Sequence, residues 1–219
     1  MIIIPAYQAQ QVIGSLVKEV RAQGLPVLVV DDASTDETAL EAEKAGASVI
    51  RRRLNGGKGA ALRDGIAQAL REGSDWVLTM DADGQHLPSE IPVFLRRAER
   101  TNADLLVGDR MQRPRGMPLD RWLTNFILSK IVSRMAGQQV PDTQCGYRMI
   151  RRRLLESVRL TTDRFEIESE LVIRAGWAGF RIESVPVSSV YRRQMSFIRP
   201  LSDTVRFFKF LGSLKKERN

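Results

Sequence analysis

Residues 26–32, PVLVVDD, decide the fold that the sequence predicts. Pro26 is followed by an unbroken apolar run rich in valine, and the run stops at two aspartates. A strand with one face in water would alternate apolar and polar residues, whereas a strand of a parallel sheet is covered on both faces and is apolar throughout. The run therefore predicts a buried strand of a parallel sheet.

Strands and helices alternate on both sides of this run. A strand is predicted at residues 1–7, and the residues between the two strands have the apolar spacing of a helix. Further strands are predicted at 47–53, 75–83 and 103–110, separated by helices at 34–46, 57–73 and 87–101. This order predicts an α/β protein with an open, Rossmann-like, mostly parallel sheet flanked by helices.

Polar residues follow each predicted strand at the point where it ends. The clusters are PAY (5–7), DDAST (31–35), NGGKG (55–59), DADGQ (81–85) and GDR (108–110). Ligands of open α/β sheets bind beyond the carboxyl ends of the strands, so the five loops are expected to converge on one binding site.

The second cluster combines a helix start with two carboxylates. Ser34 or Thr35 is expected to be the N-cap of the helix at 34–46, because hydroxyl side chains favour that position. Of Asp31 and Asp32, one is expected to cap the helix and the other to accept hydrogen bonds from a base or ribose.

The DADGQ cluster predicts a metal site. Asp81 and Asp83 lie on the same side of an extended backbone, where two like charges do not help folding. Magnesium typically binds one or two carboxylates together with substrate phosphates, and Gln85 can add a carbonyl oxygen. The chain has one histidine, His86, which excludes a histidine-rich zinc site, and His86 is expected to be structural or to support the metal ligands.

Charge is distributed unevenly along the 219 residues. Residues 1–108 hold 12 Lys and Arg against 15 Asp and Glu, whereas residues 109–219 hold 22 against 11. A basic second half indicates a partner with phosphates, such as a nucleotide, a lipid head group, an anionic membrane or a nucleic acid. The one cysteine, Cys145, excludes an internal disulfide and favours a reducing compartment.

Two later segments carry apolar stripes flanked by Lys and Arg. In the predicted helix at 119–135 the stripe contains Leu119, Trp122, Leu123, Phe126, Ile127, Ile131 and Met135, and in residues 202–216 it contains Val205, Phe208, Leu211 and Leu214. Such helices lie in a membrane interface, although core or dimer contacts explain them as well. No signal peptide and no membrane-spanning segment is expected.

The NGGKGAAL segment is similar to a phosphate-binding loop but not to that of ATPases. The pattern G-x-x-x-x-G-K-[ST] is absent because Ala60 follows Gly59, so an ATPase is disfavoured. The glycines are instead expected to let the backbone approach a nucleotide.

Taken together, these segments resemble family 2 glycosyltransferases of the GT-A fold. PAY, VVDDASTDET, NGGKGAAL, DADGQHLP, GDR and DTQCGYRMIRR occur in the family's order, over residues 2–199. The sequence looks most like polyprenyl-phosphate sugar transferases such as dolichol-phosphate mannose synthases. The resemblance implies one GT-A domain, 1–219, with a nucleotide-sugar half (1–110), an acceptor half (111–201) and an amphipathic basic C-terminal helix (202–219).

The resemblance also implies roles for single residues. It places around the donor nucleoside Pro5, Ala6, Tyr7 and Asp32, with Asp31 beside them. It places at the diphosphate and its Mg²⁺ or Mn²⁺ ion Asp81, Asp83 and Gln85, with Ala82 and Lys58 in the same loops. It implies anion-binding roles for Arg110 and for Arg192 and Ser196 of a late basic loop. Asp83, Arg110 and Asp142 are the implied catalytic residues.

Three positions depart from the family's pattern. The family's usual acidic residue is replaced by Ala9, and the usual GSR reads GDR, which puts Asp109 beside Arg110 where it could weaken the attraction of that arginine for anions. The late loop lacks the usual glycine and lysine, so Arg193 or Arg199 is expected to replace the lysine.

The implied reaction is an inverting, metal-dependent transfer of a sugar from a nucleotide sugar, GDP-mannose or UDP-glucose, to a polyprenyl phosphate. It implies a cytoplasmic protein, peripheral on the cytoplasmic face of the membrane, as a homodimer or with a membrane-anchoring partner. A hydroxyl acceptor would need a general base, for which Asp142, Glu166 and Glu168 are candidates. The alternatives are transfer to a hydroxyl in cell-envelope polysaccharide synthesis, a nucleotidyltransferase, a nucleic-acid-binding protein and a non-catalytic descendant.

Overall fold

The computed structural model describes residues 1–112, 116–188 and 200–218. Strands β1 to β7 span, in chain order, Ile2–Ala6, Val27–Asp31, Ser48–Arg51, Trp76–Thr79, Leu105–Asp109, Arg148–Arg151 and Ile182–Pro186. Helices α1 to α8 span Gln10–Arg21, Thr38–Lys44, Lys58–Arg71, Ile91–Arg100, Leu119–Ala136, Arg152–Ser157, Glu166–Trp177 and Pro200–Arg218. A 3₁₀ turn at Pro88–Glu90 precedes α4.

Within these residues the strands form one mostly parallel sheet flanked by helices, as the sequence predicts. The strand order is β3-β2-β1-β4-β6-β5-β7. Strand β2 is buried along its whole length and pairs in parallel with β1 and β3. A Cβ atom at Gly65 of α3 would lie 2.6 Å from Cγ2 of Ile3, so the absence of a side chain there lets α3 pack closely on β1.

Strand β6 is a feature that sequence reasoning missed. It runs antiparallel between β4 and β5. Its apolar pattern is broken by Arg148, which is 2% exposed and donates to the carbonyl groups of Thr143 (2.6 Å), Cys145 (2.8 Å) and Glu168 (2.5 Å). In a sequence pattern an arginine indicates a surface position. The burial of Arg148 depends on hydrogen bonds to backbone carbonyls that only the folded chain supplies, so the pattern does not predict the strand.

The predicted N-cap of α2 is wrong. The helix begins at Thr38, and the carboxylate of Asp36 accepts the backbone N–H of Thr38 at 3.0 Å. Ser34 and Thr35 instead accept hydrogen bonds from Gln8 in the loop after β1. Neither Asp31 nor Asp32 caps α2.

Helix α5 turns most of its apolar stripe away from the core. Its buried residues are Asn125, Ser129, Val132 and Ala136. The exposed ones are large and apolar, namely Leu119 (79% exposed), Leu123 (50%), Phe126 (40%) and Ile127 (48%). The buried side chains are small or polar, and Ser129 is hydrogen-bonded to Thr143, which offsets the cost of burying its hydroxyl.

In α8 the residues of the predicted apolar stripe do not all lie on the same face of the helix. Leu211 and Leu214 are buried together with Phe207 and Phe210, whereas Val205 and Phe208 are exposed. The three phenylalanines of the helix, Phe207, Phe208 and Phe210, therefore do not share one face. In the part of the chain that the structure describes, no helix is long and apolar enough to cross a bilayer.

Candidate functional site

The loops after β1 and β2 are hydrogen-bonded to each other. The N–H of Gln8 donates to Oγ of Ser34 at 2.9 Å, and the N–H of Ala9 donates to Oγ1 of Thr38 at 2.7 Å. Gln8 has a φ of 53°, a left-handed conformation that turns the chain sharply after the strand. Pro5 and Ala6 are buried, so of the residues after β1 that are predicted to contact the nucleoside it is Tyr7, 38% exposed, whose side chain faces solvent.

Asp32 organises the glycine-rich loop before α3. Its Oδ1 accepts the N–H of Gly56 (2.9 Å) and its Oδ2 the N–H of Gly57 (2.7 Å), while Arg52 pairs with Oδ1. Asp31 is also buried, and its Oδ1 accepts the N–H of Ser34 at 3.3 Å. Both oxygens of Asp32 are thus occupied in shaping the loop that presents Lys58.

Lys58 joins three elements at the carboxyl edge of the sheet. Its Nζ lies 2.5 Å from Oδ1 of Asp81, at the end of β4, and 2.5 Å from Oε1 of Glu168, in the first turn of α7. Burial alone would lower the pKa of Lys58, but the two carboxylates raise it well above its ordinary value. Burial would likewise raise the pKa of Asp81, but the ammonium of Lys58, with the charge of Arg110, lowers it to about 2. The pair is therefore ionised as an ammonium and a carboxylate.

Asp83 lies in the turn after Asp81 and has a different electrostatic environment. Its Oδ1 accepts the N–H of Gln85 at 2.9 Å. Burial and the neighbouring Asp81 charge raise the pKa of Asp83, because the turn brings two carboxylates together. A cation bound between the two carboxylates would relieve their mutual repulsion.

His86 is structural, as expected for a lone histidine. It is 2% exposed, and its ring stacks on Tyr147 with 5.0 Å between ring centroids. Its Nδ1 accepts the N–H of Asp81 at 3.4 Å. Burial lowers the pKa of His86, so the ring is neutral, and its hydrogen bond to the backbone of Asp81 supports the aspartate loop.

Gly146 brings the segment before β6 against the same carboxylate. A Cβ atom at Gly146 would lie 2.7 Å from both side-chain oxygens of Asp81. The carbonyl of Gly146 accepts the hydroxyl of Thr79 at 2.8 Å, which fixes this approach. A glycine is needed here because any side chain would displace Asp81.

Arg110 is held by Asp142 in a buried ion pair. Its Nε and Nη2 lie 2.7 and 2.9 Å from the two carboxylate oxygens, and its backbone N–H donates to Oδ2 at 3.1 Å. Asp142 has no exposed surface. Asp109, which the sequence places beside Arg110, accepts hydrogen bonds from the backbone N–H of Met111 (2.9 Å) and from Nε2 of Gln112 (2.7 Å).

The donor atoms at the end of β4 suit a hard divalent cation. The predicted ligands, Asp81, Asp83 and Gln85, would supply oxygens, the ligand type that magnesium and manganese prefer. No group of three or more His, Cys, Asp or Glu side chains that could hold a metal occurs in residues 1–112, 116–188 and 200–218. The residues present therefore fit an ion that also takes oxygens from a substrate.

The structure brings together most of the predicted site residues. Hydrogen bonds and ion pairs link the loops after β1, β2, β3 and β4, which confirms their expected convergence. Sequence reasoning missed two contributions: the contact of Glu168 with Lys58 and the ion pair of Asp32 with Arg52. Arg192 and Ser196 lie outside the described residues.

Comparison with protein families and curated proteins gives consistent matches. Residues 1–159 match the model of Glycosyl transferase family 2. The chain is 30% identical over 213 residues to the UDP-N-acetylglucosamine–dolichyl-phosphate N-acetylglucosaminyltransferase of Methanococcus voltae, covering 87% of this chain and 85% of that one. It is 34% identical over 178 residues to the undecaprenyl-phosphate mannosyltransferase of Micrococcus luteus, covering 76% and 72%.

Solved structures show the same fold. Glucosyl-3-phosphoglycerate synthase from Mycobacterium tuberculosis, in complex with Mn²⁺, UDP and phosphoglyceric acid, superimposes with a TM-score of 0.72 at 19% identity. The match covers 94% of this chain and 73% of the synthase. This likeness shows the GT-A fold that the sequence predicts.

Proposed function

Because the chain belongs to glycosyl transferase family 2 and is a glycosyltransferase, we propose that it transfers a sugar from a nucleotide-diphosphate sugar to a polyprenyl phosphate. The transfer depends on Mg²⁺ or Mn²⁺ and inverts the anomeric centre by direct displacement. The observation that carries this proposal is the half-buried Asp81–Asp83 pair after β4, where Nζ of Lys58 lies 2.5 Å from Oδ1 of Asp81.

In this proposal each loop has a separate task at the donor. Asp81, Asp83 and Gln85 would hold the metal ion, which when bound neutralises charge that develops on the departing diphosphate. Lys58 and Arg110 add positive charge at the same edge of the sheet, which stabilises an anionic leaving group. In the same proposal Tyr7, whose side chain is exposed, would contact the nucleoside, and the glycine loop bound by Asp32 would contact the phosphates.

The surroundings of the candidate bases favour a phosphate acceptor over a hydroxyl. Asp142 is fully buried against Arg110, Glu168 is 5% exposed against Lys58, and Glu166 is 6% exposed with Arg206 at 3.7 Å. A hydroxyl acceptor needs a base that can take a proton. A phosphate oxygen is already anionic and needs none. The named substrates of the Methanococcus voltae and Micrococcus luteus relatives, both lipid phosphates, agree with this choice.

Binding of the donor is tested by melting curves with UDP-, GDP-, CMP- and dTDP-sugars, with and without Mn²⁺. A ligand that binds the folded state raises the melting temperature by an amount set by its concentration relative to Kd. We expect one class of nucleotide sugar to raise it only when Mn²⁺ is present, with GDP-mannose and UDP-glucose tested first. If none does so while circular dichroism shows a folded protein, the proposal is contradicted in favour of a non-catalytic descendant or a nucleic-acid-binding protein.

The exposed apolar face of α5 is proposed to lie on the cytoplasmic surface of the membrane, where the lipid acceptor is. Leu123, Phe126 and Ile127 are each 40–50% exposed, and Nζ of Lys130 lies 5.5 Å from the centre of the Phe126 ring. Apolar side chains with a lysine beside them suit the boundary between acyl chains and anionic head groups. Each such cation contributes about 1 kcal/mol at an anionic surface.

Replacing Leu123 by glutamate is expected to release the protein from anionic vesicles. The change puts a carboxylate into the apolar face, and it should lower the vesicle-bound fraction at least about fivefold, given the ~1 kcal/mol weight of one surface charge and the added loss of apolar burial. Co-sedimentation with phosphatidylglycerol vesicles measures this fraction. Leu40→Glu is the matched control, since Leu40 is an exposed leucine of α2. Equal sedimentation of the two variants would rule out α5 as the membrane surface.

A further inference from the structure

The metal ligand Asp81 already has a positively charged partner in the structure. Nζ of Lys58 lies 2.5 Å from Oδ1 of Asp81, which is the distance of a direct ion pair. The side chain of Lys58 is 16% exposed and that of Asp81 26% exposed, so water screens the pair poorly. A divalent ion on Asp81 and the ammonium of Lys58 would repel each other strongly at such a separation.

Glu168 offers the ammonium a second position. Its Oε1 already lies 2.5 Å from Nζ of Lys58. Its Oε2 is buried and has no hydrogen-bond partner among the residues that the structure describes. A buried carboxylate oxygen without a partner is costly, and a donor that moves onto it removes that cost. The flexible four-carbon stem of a lysine permits this movement.

We propose that Lys58 is a resident counter-cation of Asp81, which a divalent metal ion must displace toward Glu168. This inference rests on the metal site of the proposed function. It predicts that the metal ion alone binds weakly, because it must first separate Lys58 from Asp81. The diphosphate of the donor supplies the negative charge that compensates both cations, so metal and donor bind cooperatively.

Glu168 is therefore a positioning residue that acts through Lys58. Because it sits in the first turn of α7, it is held independently of the β4 loop. With Glu168 intact, the ammonium keeps a carboxylate partner after it leaves Asp81. Without that charge, Asp81 is the remaining carboxylate that pairs with Lys58 among the residues that the structure describes, so Lys58 competes better with the metal.

Calorimetric titration of Mn²⁺ into the full-length protein without nucleotide tests the exchange. Lys58→Met removes the competing cation and is expected to tighten the Kd of Mn²⁺ about tenfold or more. A tenfold change corresponds to only a modest share of the Coulomb repulsion between charges this close at low dielectric. Glu168→Gln is expected to weaken Mn²⁺ binding several-fold. Lys44→Met, which removes an exposed surface lysine, is the control for net charge and should match the wild type.

A second titration with pyrophosphate present measures the cooperativity. In the wild type, pyrophosphate should lower the Kd of Mn²⁺ by a larger factor than in Lys58→Met, because the lysine no longer opposes the metal in the variant. Should Lys58→Met fold poorly, the double variant with Glu168→Gln keeps the charge balance and should still bind Mn²⁺ more tightly than the wild type. Circular dichroism verifies the fold of each protein.

The outcomes separate the exchange from the metal site itself. Tighter binding in Lys58→Met together with weaker binding in Glu168→Gln supports the exchange, since a merely structural lysine would weaken binding in both. Unchanged or weaker Mn²⁺ binding in folded Lys58→Met, with wild-type binding intact, overturns the exchange and leaves the proposed function standing. Failure of the wild type to bind Mn²⁺ even with pyrophosphate overturns both.

Discussion

Asp83→Asn is expected to slow sugar transfer severely and at the same time to raise the melting temperature of the protein. The loss of one metal-binding carboxylate should lower kcat/KM by about a thousandfold, at the upper end of what removal of one electrostatic group costs. The fold gains because burial and the Asp81 charge raise the pKa of Asp83, so ionisation of that carboxylate opposes folding at neutral pH. Transfer assays and melting curves measure the two effects.

The stability gain should depend on pH in a defined direction. A carboxyl group whose pKa is raised in the folded state stabilises the fold below its unfolded pKa and loses that contribution as pH rises through the folded value. The melting temperatures of wild type and Asp83→Asn should therefore converge below about pH 3.8, the ordinary pKa of the group, and separate above it. Asp75→Asn, at an exposed carboxylate, serves as control. Full activity in Asp83→Asn would refute its role at the metal.

Arg110→Met is expected to destabilise the protein by about 3 to 5 kcal/mol, the usual cost of leaving a buried charge without its partner. Asp142 has no exposed surface, and two nitrogens of the Arg110 guanidinium hold its oxygens at 2.7 and 2.9 Å. The free energy of unfolding from urea denaturation at pH 7 measures the loss. Sugar transfer should fall as well, because a cation is removed from the donor site.

Two further variants separate the buried pair from ordinary surface charges. Adding Asp142→Asn to Arg110→Met should recover part of the stability, since the stranded carboxylate is then neutral. Arg152→Ala removes a more exposed arginine, paired with Glu156 at 2.6 Å, and should cost no more than about 1 kcal/mol. Equal losses of unfolding free energy in Arg110→Met and Arg152→Ala would contradict the expected contribution of the buried pair to stability.

Regular patterns in the sequence predicted the parallel part of the sheet. Strands β1 and β2 are apolar runs that end at polar loops, and the structure buries them fully. The predicted convergence of the loops follows from parallel strands alone, because their carboxyl ends share one edge. The aspartate pair was found for the same reason, since its position after β4 gives the short motif its meaning.

Features that depend on tertiary contacts could not be predicted in this way. The bond between Lys58 and Glu168 spans the sheet edge and helix α7, and no local pattern links the two positions. Strand β6 was hidden by Arg148, whose charge is satisfied by carbonyls that only the folded chain supplies. The apolar stripe of α5 was recognised, but its spacing could not tell an outward face from an inward one.

Transfer of a labelled sugar to a short polyprenyl phosphate, compared with the matching polyprenyl alcohol, tests the proposed function most directly. The donor is the nucleotide sugar selected by the melting curves, with Mn²⁺ present, and the product is extracted into organic solvent. We predict a labelled lipid from the phosphate and none from the alcohol, and none from either acceptor with Asp83→Asn. Labelling of the alcohol but not of the phosphate would contradict transfer to a polyprenyl phosphate and favour a hydroxyl acceptor.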